Sequence, residues 1–433
     1  MSSVWTENNE IKSFDSLKED IKTDVLIVGG GMAGLLCGYF IKQKGIDCVI
    51  AEAGKISQGI TKNTTAKITS QHGLIYSDIL KKYGKEKAKM YLTANETALR
   101  KYKKLCENID CDFEEKSSFV YSLDDREKIE EEIRALEKLN YKSYFEKDLL
   151  LPFQVEGAVR FDKQYQFNPL KFIKSIISDL TIYENTFVKY IDNHKAVTDK
   201  GNIFAKKIIV ATHFPFINKH GSYFIKMYQD RSYVIALENG PDVKGMYVDE
   251  NDKGMSFRNY KNLLLVGGGS HRTGKKGGDW HELRKFAKRF YPDKKEVYHW
   301  ATQDCITLDK IPYIGHYSKN TPDLYVASGF NKWGMTSSMV SAMILSDMVS
   351  GKTNRFQEVF SPHRNILKPQ LFVNGFETMI NMLTPIPKRC SHLGCALKWN
   401  KAEHTWDCSC HGSRFEKDGR LIDNPAKKNA NIH

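Results

Sequence analysis

The chain has 433 residues, enough for two or three domains of ordinary size. Its apolar fraction of 41% and charged fraction of 27% are typical of a globular protein, and no stretch approaches the roughly twenty apolar residues that cross a bilayer. The net charge of +13 is spread along the chain without a nucleic-acid-binding motif, so we predict neither a membrane span nor nucleic-acid binding. Residues 1–22 lack the apolar core of a secretory signal, and we therefore expect a cytoplasmic protein.

The first predicted element is a buried strand at residues 24–28 that runs into a G-x-G-x-x-G turn and then a helix. A second apolar strand at residues 47–51 ends at Glu52, which is placed to accept hydrogen bonds from ribose hydroxyls. Together these elements predict a dinucleotide site with the pyrophosphate at the helix N-terminus. The turn residues predicted to bind the nucleotide are Gly29, Gly31, Ala33 and Gly34.

The loop that follows bears on which dinucleotide is bound, because the strand–turn–helix unit alone does not separate NAD from FAD. Residues 59–67 are small and rich in hydroxyl groups. Thr61, Thr64 and Thr65 could donate hydrogen bonds to the pyrophosphate and ribityl chain of an extended flavin, which favours FAD. An ordinary helix cap and turn is the alternative interpretation of this loop.

A second glycine-rich loop, at residues 267–278, is basic, but its order is wrong for a P-loop. His271 and Arg272 could anchor an anionic substrate there, and Arg258 is an equal candidate. A solvated loop is the alternative. Cys305 is interpreted as a buried structural thiol and not as a point of covalent flavin attachment.

The C-terminal region carries the pattern C-x-H at Cys390 and His392, then a gap of fifteen residues, then C-x-x-H at Cys408 and His411. Two such hairpins can hold a [2Fe–2S] centre with two thiolates on one iron and two imidazoles on the other. A Cys2His2 zinc site accepts the same ligand types and is the alternative. Zinc does not explain two further cysteines and two glycines beside the ligands. These are Cys395, Cys410, Gly394 and Gly412.

The full C-terminal motif resembles the Rieske family. That resemblance implies a pair of cysteines on one iron, a pair of histidines on the other, and a disulfide between the loops, which would be unusual in a reducing compartment. The implied ligands are Cys390, Cys408, His392 and His411, and the implied disulfide joins Cys395 to Cys410. Ser413 could donate to a cluster sulfide, whereas Phe415 stands where high-potential relatives carry tyrosine. We therefore expect a potential below the top of the Rieske range.

The first 350 residues resemble the FAD-dependent oxidoreductases of the D-amino-acid oxidase and glycine oxidase group, and most closely bacterial flavoproteins with a C-terminal Rieske domain. Besides the glycine turn, the likeness rests on residues 207–213, 308–315 and 328–336. It implies FAD as the cofactor, a backbone contact from Val188 to the adenine, and a helix N-terminus at the pyrimidine end of the flavin. The residues implied at that N-terminus are Gly334, Met335 and Thr336.

These observations predict an α/β fold: a Rossmann-like FAD-binding domain, a mixed-sheet substrate domain, and a small truncated Rieske-type β module. The predicted ranges are 1–75, 156–219 and 291–350 for FAD binding, 76–155 and 220–290 for the substrate or cap domain, 351–385 for a linker, and 386–433 for the module. We expect one short helix in the linker, around residues 375–383. The module is too small to build its own core and should lean on the flavin domain.

We expect an enzyme that oxidises a small molecule, an amine or amino acid, by hydride transfer to FAD. Single electrons would leave through the [2Fe–2S] cluster to an external acceptor protein, with His392 and His411 as an exposed exit. A reductase with the opposite electron flow, fed by a donor protein, and a non-enzymatic redox sensor are the alternatives. No catalytic acid or base is assigned, because hydride abstraction from an amine needs no obligate protein nucleophile.

Overall fold

The computed structural model describes residues 2–7 and 9–432. In this part of the chain the strands are β1 (Ile21–Val28), β2 (Cys48–Ala51), β3 (Lys67–Ile68), β4 (Glu114–Ser122), β5 (Tyr144–Glu146), β6 (Gly157–Gln166), β7 (Thr181–Tyr183), β8 (Val188–Asp192), β9 (Lys195–Thr198), β10 (Asn202–Val210), β11 (Met227–Glu238), β12 (Gly245–Asp249), β13 (Ser256–Tyr260), β14 (Leu263–Arg272), β15 (Glu296–Thr307), β16 (Tyr313–His316), β17 (Leu324–Ser328), β18 (Leu397–Asn400), β19 (Thr405–Cys408), β20 (Arg414–Phe415) and β21 (Leu421–Asp423). The helices are α1 (Met32–Gln43), α2 (Ile75–Cys106, interrupted at Gly84), α3 (Arg126–Lys138), α4 (Pro169–Ile176), α5 (Tyr223–Lys226), α6 (Trp280–Phe290), α7 (Gly334–Val349), α8 (Gln357–Phe360) and α9 (Pro369–Leu383). Among these described helices, none is both long enough and apolar enough to cross a bilayer.

The first sheet has the order β16-β17-β10-β1-β2-β7, with β8 and β9 attached beside β10. It is parallel from β17 to β7, and β16 is antiparallel at its edge. Alternate residues of β1, such as Leu26 and Ile27, enter hydrophobic cores on opposite faces of the sheet. A continuous apolar run forms this kind of strand because both of its faces are covered. Val28 pairs with Ala51 of β2 and with Val210 of β10, so the chain leaves all three strands at one edge. That edge positions the nucleotide site.

The second sheet is mixed, in the order β15-β11-β14-β13-β12-β4-β6-β3, with β5 beside β6. Strands β15, β11 and β14 are long and antiparallel. Helix α6 buries Trp280 and Leu283 against the outer face of β11 and β14. The opposite face of these strands is turned toward the edge of the first sheet, and the space between the two sheets becomes the site described below.

Three features of the predicted organisation differ in the structure. Strands β6 and β15 fall within the predicted FAD-binding ranges, but they pair with β4 and β11 in the second sheet. The sequence of a buried strand does not reveal which sheet it joins, because the pairing partners are distant in the chain. The predicted linker contains α8 as well as α9, and α9 begins at Pro369, where a proline suits the first helical turn. The other predicted boundaries stay predictions.

The C-terminal module is a four-stranded antiparallel sheet, β18-β19-β20-β21. It has a small core, whose members include Leu397, Phe415, Ala426 and the four cysteines of the two loops. The module is fixed to the second sheet by a buried ion-pair network. Arg231 Nε of β11 donates to Glu403 Oε1 at 2.7 Å, and Arg414 Nη2 donates to Glu403 Oε2 at 2.9 Å. The module thus leans on the rest of the protein, in keeping with its size.

Candidate functional site

The glycine turn lies at the edge of the first sheet where β1, β2 and β10 end. Gly29 has a φ of +110°, and a Cβ there would lie 2.6 Å from the carbonyl oxygen of Ala211. A Cβ at Gly34 would lie 1.9 Å from the carbonyl oxygen of Gly29, so only glycine allows α1 to pack this closely on the turn. At Gly31, just before α1, the nearest atom to a Cβ would be Thr61 Oγ1 at 3.4 Å. The turn therefore presents bare backbone at a helix N-terminus, which suits a pyrophosphate.

Two side chains complete this end of the site. Glu52 accepts hydrogen bonds from the backbone N–H groups of Gly30 at 2.7 Å and Gly54 at 2.9 Å. Burial raises the pKa of Glu52, although these N–H groups favour the ionised carboxylate. Thr61 Oγ1 accepts from the N–H of Met32, the first residue of α1, at 3.1 Å. The hydroxyl proton of Thr61 remains a potential donor toward the cavity.

Helix α7 begins at Gly334 without a side-chain cap at its N-terminus. Its backbone N–H groups there are the kind of donors that stabilise negative charge. Thr336 does not face the cavity: its Oγ1 donates to the carbonyl oxygen of Thr69 at 2.8 Å and accepts from the N–H of Thr69 at 3.1 Å. Thr336 thus ties α7 to the chain after β3, while Gly334 and Met335 line the cavity.

A cavity of about 1030 Å³ joins these pieces. The predicted FAD contacts that line it are Gly29, Gly31, Ala33, Glu52, Thr61, Thr64, Thr65, Val188, Gly334 and Met335. Two further predicted contacts, Gly34 and Thr336, do not line the cavity. Cys305 also lies outside the lining as a buried free thiol, which agrees with a structural role. The bare glycine turn, the acid after β2 and the uncapped start of α7 fit the pyrophosphate, ribose and pyrimidine parts of an extended FAD.

Strands β11 and β15 separate this cavity from the C-terminal module, because alternate side chains of a strand point to opposite faces. The residues of these strands that line the cavity include Tyr228, Asp230, Ser232, Thr302, Asp304 and Ile306. The residues that contact the module instead are Gln229, Arg231 and Gln303. One pair of strands thus carries the cavity on one face and the module on the other.

Asp230 and Asp304 are direct cross-strand neighbours on the cavity face. Burial raises the pKa of both, that of Asp304 to about 6, and the ammonium group of Lys332 opposes the rise. Lys332 Nζ lies 3.8 Å from Asp230 Oδ2 and donates to Ser270 Oγ at 3.0 Å. In the described part of the chain, nine acids, six lysines and no arginine line the cavity. The cavity is therefore acidic in a protein whose net charge is +13.

The predicted anion anchors do not line the cavity in the described structure. Arg258 is buried, and its Nη1 donates to the carbonyl oxygens of residues 65 and 66 at 2.7 and 3.0 Å. Arg272 donates to the carbonyl oxygens of residues 409 and 410, both at 3.0 Å. His271 Nδ1 lies 3.2 Å from a carbonyl oxygen of its own loop. The prediction that these side chains bind an anionic substrate is wrong, because both arginines hold backbone carbonyls instead.

The two loops of the C-terminal motif fold in the same way. In each, the N–H of the first cysteine, Cys390 or Cys408, donates to the carbonyl oxygen five residues on, at 2.9 Å in both cases. The N–H of the glycine four residues on, Gly394 or Gly412, donates back to the carbonyl oxygen of that cysteine, at 3.0 and 2.9 Å. Both glycines have positive φ, +74° and +84°, which explains their presence in the motif.

His392 and His411 face each other across the two loops, with ring centroids 5.0 Å apart. His392 Nδ1 and both ring nitrogens of His411 are buried and have no hydrogen-bond partner among the described residues. Burial lowers the pKa of His392 to about 4 and that of His411 to about 3. Both are therefore neutral imidazoles at ordinary pH, which is the form that binds metal.

Cys390 and Cys408 are buried free thiols, one in each ligand loop. Cys395 and Cys410 are joined by a disulfide, which links the two loops. Their sulfurs lie within 4.8 Å of the Cys408 sulfur, but a disulfide sulfur is not a thiolate ligand. Two free thiols and two neutral imidazoles, with one or both ring nitrogens of each free of hydrogen-bond partners in the described structure, fit the [2Fe–2S] ligand set predicted from the motif.

The histidine side of this ligand set faces the flavin-binding part of the protein. His411 is 1% exposed and lies near the rings of Phe214 and Phe224, at centroid distances of 6.4 and 6.1 Å. His392 is half-buried, and its Nε2 lies 2.9 Å from the side-chain amide of Asn218. The prediction of an exposed exit at these histidines is therefore wrong for His411. A sequence motif cannot show which surface covers it.

Two glutamines that the sequence reasoning missed hold the second ligand loop. Gln229 Nε2 of β11 donates to the carbonyl oxygen of His411 at 2.7 Å and to that of Asn424 at 3.1 Å. Gln303 Nε2 of β15 donates to the carbonyl oxygen of Gly412 at 2.9 Å and to Gln229 Oε1 at 2.8 Å. No local signal in the sequence marked them, because Gln229 and Gln303 stand among other polar residues of β11 and β15.

The module also forms part of the cavity wall, through residues 421–424 and 426–427. Asn424 Nδ2 donates to the carbonyl oxygens of Thr212 and Phe214 at 2.6 and 2.7 Å, just past the end of β10. Between them, His213 lines the cavity, and burial lowers the pKa of His213 to about 4. Asn424 thus joins the cavity wall to the second ligand loop, because its own carbonyl oxygen accepts from Gln229.

Residues 24–348 match the family model for FAD-dependent oxidoreductases (DAO), and residues 376–433 match the Rieske [2Fe–2S] domain. The chain belongs to the DAO family of FAD-dependent oxidoreductases. It also carries a C-terminal Rieske [2Fe–2S] domain, so the predicted family and its two cofactors, FAD and a [2Fe–2S] cluster, are confirmed. The Rieske match begins within α9, ten residues before the predicted start of the module.

Similar proteins include a Bacillus subtilis (strain 168) protein named for its Rieske 2Fe–2S centre, YhfW, which is 34% identical over 489 aligned residues. The alignment covers 98% of this chain and 96% of that protein. Gamma-glutamylputrescine oxidoreductase of Escherichia coli (strain K12) is 25% identical, with 80% of this chain and 88% of that protein covered. The crystal structure of glycine oxidase from Geobacillus kaustophilus superposes with a TM-score of 0.66 at 19% identity, over 80% of this chain and 99% of that one. The predicted α/β fold of this type is confirmed.

Proposed function

We propose that this oxidoreductase oxidises an amine at the flavin and passes the electrons one at a time through the cluster to an external acceptor. When bound, FAD accepts a hydride, and a Rieske cluster accepts single electrons. The observation that carries the choice of substrate is the partly buried pair Asp230 and Asp304 on the cavity face of the second sheet.

An acidic pair in a cavity favours a cationic ligand. A protonated amine beside Asp230 and Asp304 would form charge-assisted hydrogen bonds, each worth about 1.5–3 kcal/mol. The ammonium must lose one proton before a hydride leaves its carbon, and an ionised carboxylate of this pair can accept that proton. A substrate with a carboxylate next to its amine would meet repulsion there, and the described lining offers no arginine for bidentate binding of that carboxylate. These features favour an amine over an α-amino acid. The names of the relatives, gamma-glutamylputrescine oxidoreductase and glycine oxidase, support oxidation of a nitrogen compound.

The position of the module supports electron transfer within one chain. The cavity and the ligand loops lie on opposite faces of β11 and β15, and one layer of packed sheet is about 10 Å thick. Asn424 and Gln229 connect the cavity wall to the backbone of His411. Residues 421–424 of the module form the cavity wall on that side.

The remaining groups bind and orient. The uncapped N-terminus of α7 favours negative charge at the ring system that it faces. Lys332 partly neutralises Asp230, which keeps the acidic pair from protonating completely. No side chain is required to form a bond to the substrate, and none is assigned that role.

The substrate class is tested by anaerobic mixing of the purified holoenzyme with n-butylamine, putrescine and norvaline. Norvaline is n-butylamine with a carboxylate on the reacting carbon, so the two form a matched pair. We expect the amines to bleach the flavin absorbance. The apparent affinity for norvaline should be about 10-fold weaker than that for n-butylamine, because the acidic cavity repels its carboxylate. Bleaching by norvaline but not by either amine would contradict the proposal. Flavin reduction only by a pre-reduced cluster would show the opposite electron flow.

A further inference from the structure

Helix α9 turns its apolar side chains to solvent and its polar side chains to the protein. The exposed apolar side chains recur with helical spacing and are Phe372, Val373, Phe376, Met379, Ile380 and Leu383. Exposure reaches 70% at Phe372, 59% at Phe376 and 75% at Leu383. The polar residues on the opposite side are Gln370, Asn374, Glu377 and Asn381. A surface helix of a globular protein ordinarily has the reverse polarity.

Polar contacts, and not apolar packing, hold α9 in place. Asn374 is 2% exposed, and its Oδ1 accepts from Arg272 Nη1 at 3.0 Å. Its Nδ2 donates to the carbonyl oxygen of Ile225 in α5 at 3.3 Å. Glu377 pairs with Lys275 Nζ at 2.5 Å. Asn381 is 1% exposed, and its carbonyl oxygen accepts from the module at 2.8 Å. The helix is therefore firmly oriented, and its apolar face is an outer surface of the folded protein.

The apolar face is a single concentrated patch. Of the fourteen large apolar side chains that are exposed in the described structure, eight lie within residues 367–383. Leu367 and Met382 extend the face at either end of the helix. Exposed apolar residues scattered singly need no explanation, but a contiguous patch of this kind marks a surface that binds something apolar.

Basic residues surround this patch. Glu377 is the one acid within α9, and it pairs with Lys275. Lys368 precedes the helix, and Lys388 and Arg389 follow it. Two more lysines, at positions 275 and 398, lie near Glu377 on its polar side, and the exposed Lys276 follows Lys275 in the chain. An apolar face with a positive border is complementary to anionic lipid headgroups above an acyl layer.

We propose that α9 binds the surface of an anionic lipid bilayer, lying in the plane of the interface with its apolar face in the acyl boundary. A second copy of this chain is a poorer occupant, because a symmetric pairing would place the same basic residues against each other. The first ligand loop begins at Cys390, seven residues after α9 ends, so this binding holds the cluster module beside the membrane. The inference does not depend on the substrate of the enzyme.

The test is flotation of the full-length holoenzyme with vesicles of pure phosphatidylcholine and with equimolar phosphatidylcholine and phosphatidylglycerol. We expect binding to the anionic vesicles, weaker binding to the neutral ones, and partial release by salt. The double variant F372S/F376S should lower binding to anionic vesicles by about 10-fold or more, because it removes two large apolar side chains from the face. K276E should weaken anionic binding without affecting the apolar contact.

The matched control is L123S/L150S, which removes two exposed leucines of 51% and 55% exposure far from α9 in sequence. It should bind vesicles like the wild type. Both double variants should keep wild-type flavin content and cluster EPR signal, because all four side chains are exposed. Failure of the wild type to bind anionic vesicles would overturn the proposal. A wild-type dimer in light scattering that F372S/F376S converts to monomer would also overturn it, since a second copy would then cover the face.

Discussion

At the scale of single residues, Asp304 is the side chain whose ionisation should control substrate binding. Burial raises its pKa to about 6, and it stands opposite Asp230 on the cavity face. A cationic amine binds the ionised pair, so its KM should fall as the pH rises through about 6 and Asp304 loses its proton. D304N should raise that KM by about 10- to 100-fold and abolish this pH dependence. Steady-state kinetics with an artificial acceptor across this pH range measures both effects.

T302V is the matched control for that substitution. Thr302 lies two residues away on β15 and lines the same cavity face without carrying a charge. Its variant should keep the pH dependence of the wild type. An unchanged KM in D304N would show that the acidic pair does not bind the substrate. A KM that rises as much in T302V as in D304N would show the same.

Gln229 should matter for the coupling of the two redox sites and not for substrate oxidation. Its side chain joins β11 to the carbonyl oxygens of His411 and Asn424. Q229L leaves these buried polar groups unpaired, at a cost of about 1–3 kcal/mol each. We expect flavin bleaching by substrate at the wild-type rate, slower appearance of the reduced-cluster EPR signal, and unchanged iron content. Equal rates of cluster reduction in Q229L and wild type would contradict this role.

At the scale of elements, the module should be held to β11 by the Arg231–Glu403–Arg414 network. Burial alone would raise the pKa of Glu403, but the two arginines hold it at about 2. A lowered pKa stabilises the folded protein fully above about pH 4.5, the ordinary value, and this contribution is lost as the pH falls through about 2. R231A leaves Glu403 with one of its two arginines and should loosen the module by about 3–5 kcal/mol. Limited proteolysis after α9 and acid unfolding monitored by cluster absorbance measure this.

The double variant R231L/E403L removes both partners of the ion pair and replaces them with apolar side chains, so it distinguishes loss of the pair from exposure of one unpaired charge. Removing both partners leaves no unpaired buried carboxylate against β11, so this variant should be more stable than R231A. Arg414 retains Asp407 as a partner at 3.1 Å in either background. If R231A and wild type are equally resistant to protease and acid, the network does not hold the module.

The sequence predicted the parts of this protein that local spacing determines. The glycine turn, Glu52 and the two ligand loops each lie within a short segment, so their geometry follows from residue order. The function of Arg272 could not be predicted in the same way, because its partners at residues 409 and 410 lie more than a hundred positions away. The pairing of Asp230 with Asp304 likewise depends on the register of β11 against β15. The outward apolar face of α9 looks in sequence like a helix that packs into a core.

At the scale of the whole molecule, one chain joins a flavin cavity and a cluster module across two shared strands. The acidic cavity face and the module-facing glutamines alternate along β11 and β15, so the same pleat that lines the cavity also holds the second ligand loop. The truncated module fits this arrangement, since the flavin-binding part supplies the surface against which its histidine side is buried. Substrate oxidation and single-electron transfer are therefore expected to be coupled within each polypeptide.

The most direct test is an anaerobic single turnover of the holoenzyme with an amine that reduces it, followed by absorbance and rapid freeze-quench EPR. We predict that flavin absorbance is lost first and that the reduced-cluster signal then appears at a rate independent of protein concentration. A cluster signal that never appears, that precedes flavin bleaching, or whose rate rises in proportion to protein concentration would contradict electron transfer within one chain.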